Sequence, residues 1–62
     1  MKKRFMKEYA NYKIGFIHGL AKEYPHQKAE YDRMIDSVKK AVWLYEHGYI
    51  IVDEAMRLIS EA

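Results

Sequence analysis

Cysteine is absent from this 62-residue sequence, and glycine (three residues) and proline (one residue) are scarce. Without cysteine the chain can form neither a disulfide nor a thiolate zinc site, as is usual in a reducing cytosol. With so few glycines and prolines, few positions interrupt a helix. A chain of this length makes one domain, residues 1–62, and buries only about 60% of the surface of its unfolded state.

Long apolar runs are missing as well. The opening "MKKRF" is typical of the start of a signal peptide, but Glu8, Lys13 and His18 interrupt the apolar stretch that should follow it. No segment approaches the roughly 20 apolar residues of a membrane span. We therefore expect a cytoplasmic protein without a membrane span.

Apolar and aromatic residues are abundant, by contrast. They make up 50% and 15% of the chain, respectively. This is more apolar surface than one body of 62 residues easily hides, so the composition favours self-association.

The spacing of the apolar residues predicts an all-α fold. Pro25 and Gly48 divide the chain, because proline suits the first turn of a helix and glycine suits the left-handed cap at a helix end. We expect two long antiparallel helices, at about 2–23 and 25–47, and a short third helix at about 52–61. Two such chains would form a dimeric helical bundle.

Two neighbouring apolar rows run along the first predicted helix, and together they cover about half of its circumference or more. The first row is Phe5, Tyr9, Tyr12, Phe16, Leu20 and Tyr24. The second is Met6, Ala10, Ile14, Ile17 and Ala21. One helix cannot cover so wide an arc, but two can.

Aromatic side chains of the predicted stripes are assigned to the core. They are Tyr9, Tyr12, Tyr31 and Tyr45. Trp43 and Leu44 lie off the stripe of the second helix, and we expect the third segment to cover them. For Trp43 a dimer seam or a partner-binding site is the alternative, and Tyr49 is a second candidate for partner binding.

The third segment lacks a standard helix cap. Ile51 stands where a capping box has its Ser or Thr, so Asp53 is the candidate cap.

The stretch "LYEHGYIIVDEAMRLISEA", residues 44–62, resembles helix–Gly–x–Ile–x–x–x–Glu–Ala–helix hairpins of small helical bacteriophage and mobile-element proteins, and of short oligomerisation domains. The matching residues are Gly48, Ile50, Glu54 and Ala55. The resemblance implies a helical turn and a phage-type small protein.

Catalytic and metal-binding patterns are not found in the sequence. The three histidines fall on different segments and lack metal-ligand spacing. Asp32 and Asp36 share a helix face, but lysines flank them at the spacing of an ion-paired surface. We expect no enzyme activity, no metal and no cofactor.

Basic residues are concentrated in the N-terminal part of the chain. Residues 1–28 carry seven Lys or Arg and two acids, and residues 29–62 carry four and seven. The first turns hold Lys2, Lys3, Arg4 and Lys7, which are candidates for contact with an acidic protein surface or with nucleic acid. The alternative is a solubilising start to the helix.

Gly15 and Gly19 lie on one side of the first helix, beside Tyr12. Each glycine costs about 1 kcal/mol of helix stability relative to alanine. We expect a close approach of another backbone there, from the second helix or from a second copy through Tyr12, Gly15, Phe16 and Gly19. A segment that bends on binding, or a merely tolerated pair, are the alternatives. Lys13, on the apolar face, either extends along its neighbours or meets an acid of another chain.

The sequence therefore predicts a small homodimeric interaction protein, a phage-type regulator or inhibitor of a cytosolic host protein. The alternative is a nucleic-acid-binding accessory protein that uses the basic N-terminal turns.

Overall fold

The computed structural model describes residues 2–62, with side chains from residue 3 onwards. It contains three α-helices: α1 (Lys2–Glu23), α2 (Lys28–Glu46) and α3 (Val52–Glu61). A short 3-10 turn, Pro25–Gln27, connects α1 to α2. No strand occurs among the described residues, so the all-α prediction is confirmed, together with the number of helices.

The corner between α1 and α2 is set by Pro25. Tyr24 leaves the helical region at φ −126° and ψ 69°, as expected of a residue that precedes proline. The amide of Gln27 then donates to the carbonyl of Tyr24 at 3.0 Å, which closes a tight 3-10 turn. Because of this turn α2 begins at Lys28, three residues later than the sequence predicts.

Gly48 ends α2 in the left-handed conformation that the sequence predicts, at φ 79°. The amide of Tyr49 donates to Leu44 O at 2.9 Å, and the amide of Gly48 donates to Tyr45 O at 3.1 Å. This pair of bonds is a Schellman motif, which satisfies carbonyls that a helix end leaves free.

The start of α3 differs from the sequence prediction. Ile51 is the capping residue and makes no side-chain cap bond, while Asp53 lies inside the first helical turn. Asp53 is therefore not the cap. Its charge, and that of Glu54, still lie near the positive end of the helix dipole.

The core is formed by small and aliphatic side chains from all three helices. Its fully buried members are Met6, Ala10, Ile17, Ile35, Val38, Ala41, Ala55 and Ile59. Each helix packs against the other two, and no polar side chain is buried among the described residues. Within α1, all the fully buried residues belong to the second apolar row.

Lys13 connects α1 to the end of α3. Its ammonium Nζ donates a hydrogen bond to the carbonyl of Ser60 at 3.1 Å. Carbonyls in the last turn of a helix lack partners within the helix and carry partial negative charge, so a lysine there is favourable. This contact within the chain gives Lys13 a role that the sequence does not predict.

We expect Ile17→Val to lower the free energy of unfolding by about 0.5–1.5 kcal/mol, because it removes a methylene from a buried site. The matched control is Ile51→Val, the same change at a side chain that is 69% exposed, which should change stability by less than about 0.5 kcal/mol. Urea denaturation followed by circular dichroism measures both. Equal losses would contradict the core described above.

Candidate interaction surfaces

The first apolar row of α1 is largely uncovered. Phe5, Tyr12 and Phe16 are 62%, 71% and 57% exposed, and Tyr24 after the helix end is 46% exposed. Tyr12 is thus not a core residue, contrary to the sequence prediction, whereas Tyr9, Tyr31 and Tyr45 pack partly buried against the core. We call Phe5, Tyr12 and Phe16, with the neighbouring Gly15 and Gly19, the α1 face.

The reason for this exposure is the direction from which α2 and α3 approach. Both pack on the side of α1 that carries Met6, Ala10 and Ile17. At roughly 100° per residue, Phe5, Tyr12 and Phe16 point about 100° or more away from the middle of that side. Two helices on one side therefore leave the first row open.

Gly15 and Gly19 have no close neighbour from elsewhere in the chain. A Cβ atom built on either glycine meets no such atom within 4 Å. The prediction that the second helix approaches these glycines is therefore wrong. Approach by a second copy stays a prediction.

An aromatic stack occupies the junction after α2. The rings of Trp43 and His47 are 4.0 Å apart between centroids, and those of Trp43 and Tyr49 are 5.8 Å apart. His47 Nδ1 lies 2.9 Å from Trp43 O. We call Trp43, His47 and Tyr49 the aromatic stack. Trp43 remains 49% exposed and Tyr49 70% exposed, so the third segment covers Trp43 only in part.

The sequence prediction did not include His47 in this cluster. The signal was present, because Trp43 and His47 are four residues apart and such residues are neighbours on a helix. Leu44, the other residue off the α2 stripe, is half-buried and lines a groove with Leu58 and Ala62. The third segment therefore covers Leu44, as the sequence predicts.

The basic start of α1 lies beside the end of α2. Lys7 Nζ is 3.0 Å from Glu46 Oε2. This hydrogen bond and the charge of Lys7 hold the pKa of the Glu46 carboxyl below its ordinary value, and the charges of Lys3 and His47 act in the same direction. The structure therefore places two of the predicted partner-binding cations, Lys3 and Lys7, next to Glu46, the residue that precedes His47 of the aromatic stack. The side chain of Lys2 lies outside the described part.

Other charged side chains pair along the helices. Arg4 Nε is 3.3 Å from Glu8, and Lys28 Nζ is 2.9 Å from Asp32. On α3, Arg57 binds both Glu54 and Glu61, and its hydrogen bond lowers the pKa of Glu54. No group of three His, Asp or Glu residues that could hold a metal ion is found within residues 2–62.

The helices of the described chain do not combine the length and apolar character that a membrane crossing requires. Comparison with models of known families, with curated proteins and with solved structures finds no match.

The pairing of Lys7 with Glu46 can be tested by titration. We expect Lys7→Met to raise the pKa of Glu46, because the largest causes of its lowering are removed. The matched control is Lys22→Met, at the opposite end of the same helix, which should leave that pKa unchanged. Carboxyl-detected nuclear magnetic resonance follows the Glu46 signal.

The lowered pKa of Glu46 also makes the stability that the Lys7–Glu46 pair contributes depend on pH. It is present at neutral pH, above the unfolded-state pKa of the carboxyl, and is lost as the pH falls through the lowered folded-state value. An identical Glu46 titration in the wild type and in Lys7→Met would contradict the pairing.

Proposed function

We propose that this protein is a non-enzymatic interaction module that acts as a homodimer, and that the α1 face is its dimer interface. The observation that carries the proposal is the row of three exposed aromatic rings on one helix. Single exposed apolar residues are ordinary, but several large ones on the same side of one helix mark an interaction surface.

The size of the row supports the proposal. With exposed fractions of 57–71%, the three rings offer about 400 Å² per chain, taking roughly 200 Å² for each ring. Two chains would remove about 800 Å² from water through the rings alone. A stable interface buries about 1,200–2,000 Å² in total, so the flanking side chains supply the remainder.

The dimer in turn serves as a regulator or inhibitor of a cytosolic protein, in keeping with the phage-type resemblance of residues 44–62. The partner surface in this proposal is the end of the molecule where Lys3, Lys7 and the aromatic stack meet. Exposed Trp and Tyr suit a protein partner, because aromatic residues provide binding energy, and Lys3, beside the Lys7–Glu46 pair, adds a cation that can orient an acidic surface.

Charge pairing within the chain favours a protein partner over nucleic acid. Arg4 and Lys7 already bind Glu8 and Glu46, so phosphates would compete with these carboxylates. Arg57 on α3 is likewise bound by two acids. Affinity for nucleic acid comes largely from cations that neutralise phosphates, so cations that are paired with carboxylates contribute less to it.

The dimer can be tested with paired substitutions. We expect Tyr12→Ser to weaken dimerisation by about tenfold or more, because the ring loses its burial in both copies. The matched control, Tyr49→Ser, removes an equally exposed ring outside the α1 face (70% against 71% exposed) and should leave dimerisation unchanged. Sedimentation equilibrium over micromolar concentrations measures both. A folded wild type that stays monomeric throughout would overturn the proposal.

The glycines provide a second test with two readouts of opposite sign. Gly15→Ala and Gly19→Ala should each stabilise the isolated chain by up to about 1 kcal/mol, because alanine favours the helix and no atom from outside the helix lies within 4 Å of the new Cβ. In the dimer the same methyl groups enter a close helix contact and weaken association. Stabilisation without weaker association would show that the glycines are only tolerated.

A further inference from the structure

A groove runs between α1 and α2 on the side of this helix pair that faces away from α3. On α1, Ile14 lies on the opposite side of the buried row from Lys13, and Lys13 bonds to α3. The residues that line the groove all come from α1 and α2. We call it the α1–α2 groove; it is lined by Lys7, Ala10, Asn11, Ile14, Lys39, Val42 and Glu46.

The floor of the α1–α2 groove is apolar. Ala10, Ile14 and Val42 form it, and Ile14 and Val42 are each half-buried, so part of each side chain stays in contact with solvent. α3 packs on α1 and α2 from the other side, as a third helix does in a bundle. The groove between two packed helices therefore fits the apolar stripe of one more amphipathic helix.

Lysines stand on both rims of this floor. Lys7 is on the α1 rim and Lys39 on the α2 rim, and Lys3 lies one helical turn before Lys7 on the same side of α1. Against these three lysines the groove holds one carboxylate, that of Glu46. Within the described residues Lys39 forms no ion pair. Positive charge is thus in excess, and it complements a negatively charged segment.

Glu46 indicates how this part of the groove acts on a carboxylate. Its Oε2 lies 3.0 Å from Lys7 Nζ. The hydrogen bond and the charge of Lys7 lower the pKa of Glu46, and the charge of Lys3 acts in the same direction. The ionised form of an acid is therefore favoured here, and a carboxylate of a bound segment meets the same cations.

The positive region covers only one half of the groove. On the part of α2 nearer to Pro25, Asp36 lies one turn before Lys39, and Asp32 is bound by Lys28 at 2.9 Å. An acidic segment is therefore attracted to the half beside the start of α1. Trp43 adjoins this half, because it lies four residues after Lys39 on the same helix, and its 49% exposed ring extends the apolar surface outward.

We propose that the α1–α2 groove binds an acidic amphipathic helix of the partner protein, with the apolar stripe of that helix on the floor and its carboxylates toward the three lysines. The inference rests on the proposed partner binding and names the class of partner. It does not depend on the dimer, because the aromatic rings of the α1 face point about 160° or more away from Ile14 around the helix.

The first test uses a synthetic acidic peptide of about four helical turns, with leucine at every third or fourth position and glutamate beside that stripe. The comparison peptide has lysine in place of each glutamate. Amide chemical shifts of the full isotope-labelled chain should change at Asn11, Ile14 and Val42 with the acidic peptide and not with the basic one.

The negative results of this titration differ from one another. Shifts confined to the aromatic stack would contradict the groove but leave the proposed partner-binding end in place. No shift at a millimolar concentration of the acidic peptide would overturn the groove, while the homodimer would still be judged by sedimentation.

A charge reversal on the α2 rim has a matched control at the next residue. Lys39→Glu should weaken binding of the acidic peptide about fivefold or more at low salt, because it replaces attraction by repulsion. Lys40→Glu changes the net charge equally but lines the groove between α2 and α3, so it should weaken binding by less than about twofold. Circular dichroism checks that both variants fold. Equal losses mean that net charge alone attracts the peptide, and they overturn the proposal.

Other occupants of the groove give results of their own. A DNA duplex that shifts the groove resonances when the acidic peptide does not would assign the groove to nucleic acid. A loss of dimerisation in Lys39→Glu, with none in Tyr12→Ser, would mean that a second copy covers the groove. Either result contradicts the acidic helix.

Discussion

The burial of one side of α1 against α2 and α3 is the contact on which the rest of the structure depends. Met6, Ala10 and Ile17 supply that side and are almost fully inaccessible to solvent. A chain of 62 residues has only two further helices, of 19 and 10 residues, to place against the 22 residues of α1. Both are used on the same side, so the wide apolar arc of α1 is covered only in part. The exposed aromatic row follows from this geometry.

The boundaries of the helices were predictable because they rest on local chemistry. Pro25 and Gly48 impose backbone conformations that no neighbour overrides, and the ends of α1 and α3 are as predicted. The three-residue 3-10 turn before α2 was missed, because a proline that is suited to a first helical turn suits a 3-10 turn equally well.

The choice between the two apolar rows of α1 was not predictable from periodicity. Periodicity gives the width of an apolar arc but not the direction from which partners approach. Alanines at positions 10, 41 and 55 are all buried, which lets the helices pack closely on the row with the smaller side chains and leaves the larger rings at the margin. The bond from Lys13 to Ser60 spans 47 positions, and no local pattern predicts such a contact.

The sequence predicts which residues form the candidate surfaces, but not where those residues lie relative to one another. Charge indicates Lys3 and Lys7, and aromatic content indicates Trp43 and Tyr49. The Lys7–Glu46 pair places the start of α1 beside the end of α2, which carries Trp43. Tyr12 was assigned both to the core and to a dimer contact, and its exposure contradicts the first assignment. In the proposed dimer one side of α1 packs in the core and the other side contacts the second copy, so a single helix supplies both surfaces in this short chain.

The central claim is that a second α1 covers the α1 face. The most direct measurement is an isotope-filtered nuclear Overhauser experiment on a mixture of labelled and unlabelled chains, which detects contacts between copies alone. The account predicts intermolecular contacts from the ring of Tyr12 to Phe16 and to the α protons of Gly15. Intermolecular contacts confined to the aromatic stack, with none along the α1 face, would contradict it.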